Sequence, residues 1–171
     1  MINNEIKKLL KDHVEDLNNN NLDPIFDDDD AFYNYEYFGT GLSPKDVRRF
    51  LEAQGIDPLR YVTKIPAWYY EDEKLDNLDL SEHTNLKTIQ PEAFFNCHID
   101  KDLILPNSIE VVGYHAFWLE VSNLYLPDSL KEIDKYAFER INCNKIIYKG
   151  RGFNSNNIID ILKDNGVKIL L

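Results

Sequence analysis

The chain has 171 residues, of which 43% are hydrophobic and 12% aromatic. That is enough apolar material for a substantial core and excludes wholesale disorder. The formal net charge of −11 argues against direct DNA or RNA binding, which needs basic patches, and permits a basic protein partner.

In chain order, Met1 to Asn18 reads as an amphipathic helix. Ile2, Ile6, Leu9, Leu10, Val14 and Leu17 fall on one face, and the asparagine run Asn18 to Asn21 ends it. From Asp12 to Pro44 there is no lysine or arginine, while nine acids occur, among them Asp27, Asp28, Asp29 and Asp30. Aromatics interleave with them, including Tyr33, Tyr35 and Tyr37. Such a segment is either a solvated loop anchored by its aromatics or an acidic-aromatic docking surface. In the second case the carboxylates steer a basic partner and the rings anchor it. Calcium fits poorly, because four consecutive aspartates diverge and the spaced Asp-x-Asp-x-Asp-Gly pattern is missing.

A second helix is predicted from Pro44 to Gln54. Ser43 is its N-cap, Pro44 its first residue and Gly55 its stop, with Val47, Phe50 and Leu51 on its apolar face. Asp57 and Pro58 open a short third turn. The acids Glu71, Asp72, Glu73, Asp76 and Asp79 form a second cluster.

The second half of the chain repeats itself. Leu103, Leu105, Pro106, Ser108, Ile109, Val112, Ala116 and Phe117 recur 21 residues later as Leu124, Leu126, Pro127, Ser129, Leu130, Ile133, Ala137 and Phe138. A looser copy precedes them at Leu78, Leu80, Leu86, Ile89, Ala93 and Phe94. Val62, Ile65 and Tyr69-Tyr70 read as a degenerate opening coil. That period implies a solenoid. Each L-x-L triplet is a short strand ended by its proline. The three-residue spacing from Ile109 to Val112 reads as a turn of helix. Ile146, Ile147 and Tyr148 take the L-x-L place in a last coil. A helix capped by Ser155 follows, carrying Ile158, Ile159, Ile161 and Leu162, with Gly166 after its end and a final strand from Val167.

Over residues 75–148 this pattern resembles the BspA-type leucine-rich repeat family, written L-x-L-P-x-S-L/V-x-x-I-x-x-x-A-F. The resemblance implies a right-handed solenoid with a parallel sheet on one face. It implies binding rather than chemistry. The expected fold is α+β: an acidic helical N-terminal region (1–60), a leucine-rich-repeat solenoid (61–148) and a C-terminal helix/strand cap (149–171).

Tests for chemistry return little. Gly39-Thr-Gly41 and Gly150-Arg-Gly152 lack any phosphate-loop continuation. Cys97, His98, His115 and Cys143 lack zinc spacing. Cys97 takes a repeat position with a packing role, and two cysteines make no disulfide scaffold. No catalytic residue, metal or cofactor is expected. Charged residues interrupt the N-terminal apolar run, and no stretch reaches membrane-spanning length, so the expectation is a cytoplasmic chain without a membrane partner.

The middle residues of the L-x-L triplets, Asp79, Ile104, Tyr125 and Ile147, should form a ladder on the outer sheet face. Three are apolar where solvent-facing strands usually carry polar groups. Either the N-terminal helix or a second copy of the chain (a homodimer) covers them, or they dock a protein. Trp118 joins the exposed aromatics in the second case. The favoured function is a non-enzymatic protein-interaction module. The alternative is an acidic inhibitor that mimics nucleic acid, of the kind a phage or mobile element directs at a host nuclease or defence protein.

Overall fold

A computed structural model describes residues 3–19 and 43–171. Asp27 to Asp30, Tyr33, Tyr35 and Tyr37 lie outside the described residues. Among the described residues the elements are helices α1 (Asn4–Asn19), α2 (Pro44–Ala53) and α3 (Ile158–Asp164), a 3₁₀ turn at Pro58–Tyr61, and eleven strands. The strands are β1 (Lys64–Ile65), β2 (Lys74–Leu75), β3 (Leu78–Asp79), β4 (Thr88–Ile89), β5 (Cys97–Ile104), β6 (Val111–Val112), β7 (Leu119–Tyr125), β8 (Glu132–Asp134), β9 (Asn142–Tyr148), β10 (Arg151–Phe153) and β11 (Lys168–Leu170).

The strands wind into a solenoid of about 4 turns with two sheets. One runs β1-β4-β6-β8-β11, all parallel. The other runs β10-β9-β7-β5-β2, with β3 also on β5, parallel throughout except for the antiparallel β9-β10 hairpin. The repeat sets the register. Leu78 pairs with Leu103, Leu103 with Leu124, and Leu124 with Ile146. Along the axis the rings of Tyr70, Phe94, Phe117 and Phe138 stack at 5.1, 6.3 and 5.3 Å, so the opening coil is real and Tyr70 holds the phenylalanine place. The repeat serine has a job: the Ser108 and Ser129 hydroxyls donate to the carbonyls of His83 and Ile109.

One expectation fails. A tight turn, closed by the Ile109 N–H on the Pro106 carbonyl, ends at Ile109, and the three-residue step from there to Val112 runs straight into strand β6. Each coil therefore has strands on two faces and no helix. A corner followed by a two-residue strand gives the same three-residue spacing as a helical turn.

The ends differ from the coils. Val14 and Leu17 of α1 join the main core, while Ile6, Leu9 and Leu10 pack with Val47, Leu51 and Ile56 in a smaller cluster. Asn18 Oδ1 accepts from the Thr63 N–H at 3.0 Å, tying α1 to the first coil. The α2 caps are as read: Ser43 Oγ accepts from the Asp46 N–H and Gly55 has φ +74°. Phe50, however, is 45% exposed, and the buried polar residue of that helix is Arg48. At the other end Ser155 is not the cap of α3. The Asn154 side chain instead accepts the Asn156 and Asn157 N–H groups in the turn before it. Gly166, at φ +85°, ends the helix, and β11 pairs with β8.

Candidate docking surface

The outer face of the second sheet is built in rows. Strand alternation turns Leu103, Leu124 and Ile146 fully inward and leaves Ile104, Tyr125 and Ile147 partly exposed. Register aligns Asp79, Ile104, Tyr125 and Ile147 side by side, as expected for the ladder. The next place on β10 is Gly152; the Lys145 stem lies 3.1 Å from where its Cβ would be. Helix α1 packs against α2 and the 3₁₀ turn.

Asp102, Asn123 and Lys145 form the next row, with Asn123 Nδ2 donating to Asp102 at 2.8 Å. A register shift between Ile99 and Asp102 then widens β5. Beyond it lie Lys74, His98, Glu120 and Asn142, again in register. They floor an open groove of about 860 Å³ with Trp118 and Arg140 on its wall.

Trp118 is partly exposed, with Phe95 at 4.5 Å and the Arg140 guanidinium over it at 5.2 Å. Its other neighbour, His115, is buried, stacks on Tyr114 at 3.8 Å and pairs with Glu139 at 2.6 Å. Sequence reading found Trp118 but missed this company. The signal was present: Phe95 and Trp118 each follow an Ala-Phe pair.

The second acidic cluster is mostly spoken for. Lys45 binds Glu71 at 2.7 Å, Arg48 and Arg49 both bind Glu73, Asn96 binds Asp72, and Lys101 binds Asp76. Burial alone would push the Glu73 carboxyl up, but Arg49 and Arg48 outweigh it and hold it below the usual carboxylate range. Arg48 also meets the Tyr69 carbonyl and lies 4.7 Å over the Tyr70 ring. Glu71 and Glu73 therefore clamp α2 to the first coil.

The cysteines are not poised for chemistry. Burial pushes the Cys97 thiol up to about 12 and raises Cys143 as well. Cys97 faces the core while His98 faces outward, so adjacency separates them. Among the described residues no group of three or more His, Cys, Asp or Glu is placed to hold a metal ion, and no helix is long and apolar enough to cross a membrane.

The family model for a BspA type leucine-rich repeat region matches residues 58–160. The chain belongs to the BspA-type leucine-rich repeat family. The match extends the resemblance at both ends, over the opening coil and into α3. No curated protein and no solved structure matches the chain. Leucine-rich repeats of this kind make interaction modules and are not typically enzymatic.

Proposed function

We propose that this BspA-type repeat protein is a non-enzymatic docking module that binds its protein partner through the outer face of the β10-β9-β7-β5-β2 sheet. The observation that carries the reading is the apolar row: Ile104, Tyr125 and Ile147 occupy one register across three adjacent strands and stay partly exposed. A tyrosine flanked by two isoleucines is the composition of an anchor patch. Tyr buries a large area at low entropy cost and is enriched among residues that dominate binding energy.

The test is affinity capture with the tagged full chain, compared with an Ile104→Ser/Tyr125→Ala variant of unchanged thermal stability. The expected result is a partner whose affinity falls by about 2 kcal/mol, or roughly thirtyfold. A partner held equally well by the variant removes the row from the function.

The net charge of −11 favours a second, narrower reading, the nucleic-acid-mimicking inhibitor of a host nuclease or defence protein. It expects a partner that washes off in about 1 M salt, where the Debye length is about 3 Å, and that nucleic acid displaces. A partner indifferent to both treatments sinks it.

A further inference from the structure

We infer that the groove beside the apolar row receives a basic side chain of the docked partner, so that the face selects an extended segment with two spaced anchors. This inference rests on the docking role proposed above and specifies its ligand.

Asp100 and Glu120 stand on the groove floor with side chains 65% and 59% exposed. Among the described residues their only salt-bridge partner is His98, whose two ring nitrogens lie 2.9 Å from Asp100 and 3.2 Å from Glu120. Other acids at this end are engaged: Glu73 by two arginines and Asp76 by Lys101. Asp100 and Glu120 thus flank one imidazole, a carboxylate at each ring nitrogen, and neither meets a lysine or arginine among the described residues. A lysine or arginine entering there replaces the imidazole and gains both carboxylates. The wall beside it holds Trp118, whose ring already carries the Arg140 guanidinium at 5.2 Å.

Spacing follows from the strand. Glu120 and Tyr125 are both outward-facing ends of β7, five residues apart, which is roughly 17 Å at about 3.4 Å per residue. An extended peptide lying along β7 therefore presents its basic residue and its apolar anchor four or six residues apart, the even spacings that turn both side chains toward the sheet. An acidic peptide is repelled by the same pair, and the chain's charge of −11 weighs against a second copy as the occupant.

A displayed library of random peptides, each about twelve residues long so that both sites are spanned, tests this on the immobilised full chain. The expected consensus is one Lys or Arg and one aliphatic or aromatic residue four or six positions apart. An Asp100→Asn/Glu120→Gln variant should lose the basic preference and bind the selected peptide about tenfold more weakly, the size expected of two exposed charge contacts. The Ile104→Ser/Tyr125→Ala variant should lose the apolar preference and keep the basic one. Both pairs are on the surface, so circular-dichroism melts should match the wild type. A consensus with no basic residue, no enriched peptide at all, or unchanged affinity in the Asp100/Glu120 variant overturns the inference. An apolar-only consensus would leave the docking row standing, whereas a basic-only one insensitive to Ile104→Ser/Tyr125→Ala would remove the row and keep the groove. Light scattering that shows a dimer broken by Tyr125→Ala would make the occupant a second copy and overturn the inference as well.

Discussion

His13 shows what burial does to a single titratable group. It lies on α1, 4% exposed, stacked 6.3 Å from the Tyr69 ring, and its Nε2 has no hydrogen-bond partner among the described residues. Burial lowers its pKa from 6.5 to about 4. The unfolded chain binds this proton near pH 6.5 and the folded chain only near pH 4, so stability falls as pH drops through that window. His83 acts in the opposite direction. Its hydrogen bond to Asp57 raises its pKa, so its contribution is present at low pH and lost as pH rises. A comparison isolates His13: between about pH 7 and about pH 4.5, urea unfolding should show the wild type losing about 2 kcal/mol more than His13→Phe. Equal losses in the two proteins would mean that burial leaves the His13 pKa where it stands in the unfolded chain.

Within the repeated element, Gly113 is the position with least room. A Cβ there would stand 2.8 Å from the Pro91 nitrogen and 2.9 Å from its Cδ, in the coil next door. Those atoms belong to backbone and a rigid ring, so nothing can swing aside. Gly113→Ala should cost about 2 kcal/mol, read as a lower urea midpoint with an unchanged slope. A midpoint equal to the wild type would show that the coils slide apart freely. The same element explains where periodicity reading succeeds. L-x-L fixes a strand phase, proline ends the ladder, and Ala-Phe supplies a small and a large core residue at each corner. It fails at Ile109–Val112 because a two-residue strand is too short to display its own period. It fails at Phe50 because the side of α2 that meets the first coil is taken by Arg48, whose carboxylate partner Glu73 lies 25 residues away.

As a whole the molecule is a one-dimensional stack with unlike ends. Inner coils have neighbours on both sides, whereas α1 and β10 have fewer. Hydrogen exchange should therefore protect β6 and β7 most and release α1 and β10 first. Uniform protection across all coils would instead mean that the array opens only as one unit. The stack also creates the candidate site: apolar row, polar row and groove are each assembled from adjacent coils, and no one coil contains them.

The sequence by itself determined the coil period, the strand phase and hence the ladder Asp79, Ile104, Tyr125 and Ile147, because these follow from local alternation and from recurrence at 21 to 25 residues. It also determined the caps at Ser43, Gly55 and Gly166, where one side chain or one positive φ decides the outcome. Only the tertiary structure decided that Asp100 and Glu120 converge on His98, that Trp118 shares its edge with Phe95 and Arg140, and that the acids Glu71 and Glu73 hold α2. Those contacts join side chains of different coils and elements. Their geometry depends on how coils of unequal length settle on one another and on the bulge in β5, and no local pattern encodes that distance.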